Sequence, residues 1–99
     1  MAGSALYSMT KAAIHSLTKS WAAEYGPAGV RVNTVAPGPT ATEKTAALAD
    51  RIAPIIARTP SRQMATPQDT ANAVVFLASD EASSIHGATL SIDGGLSAT

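Results

Sequence analysis

A run of mostly β-branched residues, Val30-Arg31-Val32-Asn33-Thr34-Val35-Ala36, lies between two breakers. Gly26-Pro27-Ala28-Gly29 precedes it and Pro37-Gly38-Pro39 follows it. Such a run reads as a strand over 30–36. It shows little of the polar–apolar alternation of a sheet with one wet face, so it fits a parallel sheet covered by helices. The preceding residues agree. Ser4 to Tyr25 is rich in helix formers and holds no Gly or Pro, so it reads as one long helix over 4–25, stopped by Gly26-Pro27. Leu6, Met9 or Thr10, Ala13, Leu17 and Trp21 recur at helical spacing beside a second stripe of Tyr7, Lys11, Ile14, Thr18 and Tyr25. The helix is therefore expected to be covered on more than one side.

Beyond the strand the pattern loosens. Residues 40–65 mix a helical stretch, Glu43 to Arg51, with an interrupting Pro54 and a cluster of Ile52, Ile55 and Ile56. A segment leaving the C-terminal end of a strand with an apolar face is placed to cover a ligand; it reads equally as an irregular connector packed on the core. Thr66-Pro67-Gln68-Asp69 is a helix start, with Thr66 as N-cap, Pro67 at the first helical position and Asp69 able to return a hydrogen bond. The helix is expected over 67–78, burying Ala71, Val74, Val75 and Leu77 or Ala78. A polar loop follows, then a strand over 88–92 ended by Asp93-Gly94-Gly95, with a mobile tail. The order is helix, strand, lid-like segment, helix, strand. That is an α/β chain, the C-terminal portion of a doubly wound, Rossmann-type parallel sheet with a right-handed crossover, and it makes a single partial domain over 1–99.

Composition narrows the function. Seven basic and seven acidic side chains cancel, which argues against a nucleic-acid binder or a polybasic membrane surface. There is no cysteine, so thiolate metal sites and disulfides are excluded. His15 and His86 lie far apart without ligand-like spacing, so no metal site is expected. No apolar run approaches a membrane span, and Met1-Ala2-Gly3-Ser4 does not open a signal peptide. A soluble, cytoplasmic protein is the expectation.

Chemistry concentrates at Tyr7-Ser8-Met9-Thr10-Lys11. Residues four apart on a helix share a face, so the phenol and the ammonium can serve one pocket. A phenol has a reference pKa of about 10 and is a poor base at neutral pH. A neighbouring cation favours its ionised form and suits it to exchange a proton with a carbonyl or alcohol oxygen. Tyr-x-x-x-Lys is a short pattern, and by itself it is most often an ordinary surface helix.

Four stretches in order give it context: Tyr7 to Lys11; Val30 to Gly38; Thr66-Pro67 leading into Ala73-Val74-Val75-Phe76-Leu77-Ala78-Ser79-Asp80; and Gly87-Ala88-Thr89-Leu90-Ser91-Ile92-Asp93-Gly94-Gly95. Together they closely resemble the C-terminal part of a short-chain dehydrogenase/reductase, over essentially the whole chain. The resemblance implies an NAD(P)-dependent oxidoreductase that interconverts an alcohol and a ketone, or reduces an enoyl or ketoacyl substrate. Tyr7 would be the general acid/base. Lys11 would assist it and hydrogen-bond the nicotinamide ribose. Pro37 and Gly38 would border the nicotinamide, the backbone at Thr40 would meet the carboxamide, and the Thr42 hydroxyl would meet the carboxamide or pyrophosphate. Residues 40–65 would be the substrate loop, and the final strand and tail would build a subunit interface. Arg62-Gln63 stands where Gly-Arg is common in the family, and His86 where Thr is common.

Other family parts do not occur in these residues. There is no Gly-x-x-x-Gly-x-Gly phosphate turn, no residue that separates NAD from NADP, and no substrate-orienting serine upstream of Tyr7. The expectation is a truncated chain whose open apolar strand edge drives association, as a homo-oligomer or with a missing N-terminal half. The competing expectation is a non-catalytic remnant that acts as a self-associating structural module.

Overall fold

The computed structural model describes residues 3–99. Two positions of the Met1–Ser4 stretch read above for a leader, the first two, lie outside the described residues. The regular elements are helix α1 (Ala5–Tyr25), strand β1 (Thr34–Pro37), helices α2 (Glu43–Ala46), α3 (Ala49–Arg58) and α4 (Pro67–Ala78), and strand β2 (Thr89–Ile92), with short 3-10 turns at Gly26–Ala28, Asp80–Ala82 and Leu96–Ala98. The fold is α/β. β1 and β2 form the one sheet among the described residues. Thr34 N–H donates to Ala88 O at 2.9 Å and Gly38 N–H to Ile92 O at 3.0 Å. Four residues forward along β1 the acceptor has also moved four residues forward, so the pair is parallel.

The strand is shorter than the sequence suggests. Residues 30–33 stand outside β1. The cause is Asn33: its Nδ2 donates to Ile85 O at 2.8 Å and its Oδ1 accepts from Ala88 N–H at 2.9 Å. A side chain thus takes the place of ladder bonds, and regular pairing starts one residue later.

The described residues fall into two compact units, one running to Thr34 and including Ala82–Thr89, the other Val35–Glu81 with Leu90–Thr99. In the first unit, α1 ends where Gly26 N–H bonds Ala22 O. The chain reverses through Gly29 at φ 81°, a left-handed conformation that suits glycine. α1 is covered along the stripe His15, Thr18 and Ala22. Thr18 Oγ1 donates to Ile14 O at 2.8 Å and also meets Thr34 Oγ1. His15 Nδ1 lies 3.1 Å from Thr89 Oγ1. Leu6, Met9, Ile14, Leu17 and Trp21 remain exposed. The expected cover on more than one side is absent among the described residues, because no element of this unit reaches those faces.

The second unit contains the segment between β1 and α4. The helical piece expected to break at Pro54 breaks instead at Ala47–Leu48, and α3 runs through Pro54. A proline lacks one helical N–H but has a φ that suits a helix, so a short amphipathic turn tolerates it when packing compensates. Here Ile52, Ile55 and Ile56 are half-buried along α3. The start of α4 follows the cap chemistry. Thr66 Oγ1 accepts from Asp69 N–H at 3.2 Å, and Asp69 Oδ2 accepts from Thr66 N–H at 2.8 Å. Its inward stripe is Thr70, Ala73 and Leu77; Leu77 was expected there, whereas Ala71, Val74 and Val75 are exposed, which corrects the rest of the expected face. The stripe is one helical position away because the unit covers a narrower arc of the helix than its apolar composition offers.

The described apolar residues that are buried are Ala22 and Ala82. With so little apolar burial, hydrogen bonds decide the arrangement. Asn33→Ala removes the partners of Ile85 O and Ala88 N–H, each worth about 1 kcal/mol. Urea denaturation should show a loss of about 2 kcal/mol; an unchanged midpoint would mean that Asn33 does not hold the strand entry.

Candidate active site

α1 places Tyr7 and Lys11 one turn apart. Lys11 Nζ lies 5.5 Å from the centroid of the Tyr7 ring. An exposed cation–π contact of this kind is worth about 0.5 kcal/mol, too little to orient the pair, so the helix does the positioning. The helix here is continuous: Ser8 N–H bonds Ser4 O at 2.8 Å and Thr10 Oγ1 donates to Tyr7 O at 2.8 Å. Tyr7 is 66% exposed, so its hydroxyl is open to a ligand.

In the second unit, Pro37, Gly38, Thr40 and Thr42 follow one another out of β1. The loop is tightly bonded to itself. Thr40 Oγ1 donates to Gly38 O at 2.9 Å, and Thr45 Oγ1 donates to Thr40 O at 2.6 Å. Thr40 faces Ala65 in an isolated parallel bridge. The bridge uses groups on either side of Thr40: Ala65 N–H donates to Pro39 O at 3.1 Å and Ala41 N–H to Ala65 O at 2.8 Å. Thr40's own N–H is left out of that bridge. Thr42 serves as N-cap of α2, its Oγ1 accepting from Thr45 N–H at 3.3 Å while Thr45 Oγ1 accepts from Thr42 N–H at 2.7 Å. Pro37 is exposed, and Gly38 sits so close to Asp93 that a Cβ there would lie 2.6 Å from Asp93 Cβ.

Two participants were not singled out from the sequence. Thr45 was readable as the third residue after a threonine cap. Asp93 was read as a strand end. Its Oδ1 accepts from Gly95 N–H at 2.9 Å and its Oδ2 from Ser97 N–H at 3.0 Å. A concavity of about 470 Å³ lies behind this turn, with Ser61, Met64, Ile92 and Gly94 in its wall. Its carboxylates, Asp69 and Asp93, are both committed to backbone N–H groups, so it offers no free acid or base. Among the described residues no group of three or more His, Cys, Asp or Glu is arranged for a metal ion, and no helix is long and apolar enough to cross a membrane.

A family model described as enoyl-(acyl carrier protein) reductase matches residues 1–97. The chain belongs to the short-chain dehydrogenase/reductase family. It is 47% identical over 98 residues to cis-4-hydroxycyclohexanecarboxylate dehydrogenase of Sinomonas cyclohexanicum, covering 98% of this chain and 39% of that protein. It is 46% identical over 96 residues to the 3-oxoacyl-[acyl-carrier-protein] reductase of Salmonella typhimurium, covering 96% of this chain and 39% of that protein. An NADP-bound structure from Agrobacterium tumefaciens, provisionally described as a 2-deoxy-d-gluconate 3-dehydrogenase, superimposes with a TM-score of 0.88 at 40% identity, covering 94% of this chain and 39% of that one. The chain thus spans about two fifths of the length of the relatives it matches.

Each unit offers hydrogen-bond donors of its own. The first offers an ammonium and a phenol, suited to ribose hydroxyls and a carbonyl oxygen. The second offers the Thr40 N–H, suited to a carboxamide oxygen.

The Asp93 carboxyl is held below its usual value of 3.8, first by the Ser97 hydroxyl and then by the Gly95 and Ser97 N–H groups, with burial opposing them. A depressed carboxyl stabilises the fold above its unfolded pKa, and the contribution is lost as pH falls through the folded value. The amide resonances of Gly95 and Ser97 should therefore hold their positions above pH 3.8 and shift together at more acid pH. In Asp93→Asn they should show no such titration. A titration centred above 3.8 in the parent chain would contradict the bonding described.

Proposed function

We propose that the chain carries the proton-transfer residues of an NAD(P)-dependent oxidoreductase acting on a small carbonyl or alcohol substrate. The observation that supports this most is the Tyr7–Lys11 pair on an uninterrupted helix, with an exposed phenol and the ammonium 5.5 Å from its ring. In the reducing direction Tyr7 gives its phenolic proton to the substrate oxygen as the carbonyl carbon gains a hydride. Lys11 balances the negative charge left on the phenolate oxygen, and the proton is then recovered from solvent. In the oxidising direction the phenolate takes the proton of the alcohol. A nicotinamide dinucleotide, NAD or NADP, supplies or accepts the hydride when bound. Lys11 also holds the nicotinamide ribose. Pro37 and Gly38 border the ring, the Thr40 N–H binds the carboxamide, and the Thr42 hydroxyl binds the carboxamide or a phosphate oxygen. Residues 40–65 cover the substrate. The substrate class is a ketone or ketoacyl compound, or the corresponding alcohol, in line with the names of the similar proteins. The order of the motifs corresponds to the C-terminal part of the family fold.

The test is made on the protein as expressed from its source gene. Tyr7→Phe should lower kcat by about 10²- to 10⁴-fold, the usual contribution of a positioned general acid, with little change in NAD(P)H affinity. Lys11→Met should weaken nucleotide binding as well as turnover. Full activity in Tyr7→Phe would remove the phenol from the mechanism.

A second reading has its own observation. Leu6, Met9, Val74 and Val75 are exposed apolar side chains on two helices, with exposures of 76%, 60%, 46% and 68%. Apolar side chains exposed on a helix in this way mark faces that associate. On this reading the chain self-associates as a structural module, and the same surfaces also suit a homo-oligomeric enzyme. Sedimentation velocity across a hundredfold concentration range should show species heavier than a 10.0 kDa monomer. A single monomeric species throughout would rule out self-association. If association persists while no saturable NADH or NADPH binding is found, the module reading prevails over the enzyme.

A further inference from the structure

The Asp93–Gly95 turn is pressed between two segments of the second unit. On one side is the loop out of β1. Gly38 N–H bonds Ile92 O at 3.0 Å, and a Cβ at Gly38 would come within 2.6 Å of Asp93 Cβ and 2.9 Å of Asp93 Cα. The main chain of Gly38 therefore rests directly on the main chain of Asp93. On the other side is the exit of α3. Ser61 N–H donates to Gly94 O at 3.0 Å. A Cβ at Gly94 would fall 2.1 Å from Ser61 Oγ and 3.0 Å from Thr59 Cγ2, and one at Gly95 3.0 Å from Pro60 Cγ. Gly94 and Gly95 have φ of 65° and 93°, so glycine is required there by conformation as well as by space. Thr59 is itself fixed: it is 1% exposed and its Oγ1 donates to Ile55 O at 2.8 Å.

A turn with two consecutive left-handed glycines has little stiffness of its own. Here stiffness comes from Asp93, whose two carboxylate oxygens each hold an N–H of the following turn. We propose that Asp93 is a positioning residue: by clamping the Asp93–Gly95 turn it sets the place of the Gly38–Thr42 loop and of the Thr59–Ser61 exit of α3 together. Asp93 acts through Gly38 and Ser61. The consequence for nucleotide binding rests on the role proposed above for residues 37–42; the mechanical coupling does not.

The experiment compares the parent protein, Asp93→Ala and Asp93→Asn by amide hydrogen exchange and by NADH or NADPH fluorescence titration. Asp93→Ala should raise exchange by about tenfold or more in residues 38–42 and in 59–62 at once, while α1 is unchanged. It should also weaken nucleotide binding, raising KM for the nucleotide more than it lowers kcat. Asp93→Asn keeps the side-chain shape and one good acceptor, so it should fall between the two, and it carries the test if Asp93→Ala does not fold. Exchange that rises only within 94–99 would overturn the proposal. Faster exchange in both segments with unchanged nucleotide affinity would uphold the positioning role and remove residues 37–42 from the cofactor site. Firm nucleotide binding with unaltered exchange in both segments would leave the oxidoreductase reading standing and refute the role of Asp93.

Discussion

The pairing of β1 with β2 depends on Asn33. Parallel strands have no hairpin to set their register, and a slip of one residue would turn every side chain to the opposite face. Asn33 fixes the register from the side. It donates to Ile85 O and accepts from Ala88 N–H, and the ladder continues from Thr34 N–H to Ala88 O. Arg31, whose Nη1 donates to Ala82 O at 3.1 Å, anchors the same approach. Where apolar burial is slight, such directional bonds carry the specificity that a large core otherwise supplies.

Each part of the candidate site inherits its order from a different source. Tyr7 and Lys11 owe theirs to helical periodicity, which needs nothing beyond α1. The loop from Pro37 to Thr42 owes its order to hydroxyls: Thr40, Thr42 and Thr45 tie their own backbone, and the Thr40–Ala65 bridge closes the loop. This division suits an oxidoreductase of the short-chain family. The proposed proton donor stands on a rigid element, and the residues proposed to meet the nicotinamide stand on a loop whose shape is set by internal bonds.

Local chemistry was legible in the sequence; non-local chemistry was not. The Tyr7–Lys11 spacing and the Thr66 cap are relations of three or four residues, and their geometry follows from the helix alone. The order of elements and the α/β class could be read from breakers and β-branched runs. The start of β1 was misplaced because the bonds of Asn33 go to residues more than fifty positions away. The break in the 43–58 segment was assigned to Pro54, yet the hydrogen bonding places it at Ala47–Leu48. The face of α4 was misjudged because apolar residues cover most of that helix and periodicity cannot say which stripe finds a neighbour. Arg62 is instructive. It occupies φ 58° where the family resemblance leads one to expect glycine, and its Nη1 donates to Thr59 O at 2.7 Å, a local bond that offsets the strain. The sequence marked the departure, and the backbone supplies the reason.

The distance along the chain between Asn33 and its partners bears on how the protein is made. α1 can form as soon as it leaves the ribosome, because its backbone bonds are local. β1 cannot be completed then: its partner strand and the carbonyl and amide that orient Asn33 lie in 85–92. Until those residues emerge, the edge of Val30 to Ala36 that β2 covers stays open to other chains and to chaperones. Synthesis speed between residues 37 and 92 thus sets how long that segment waits.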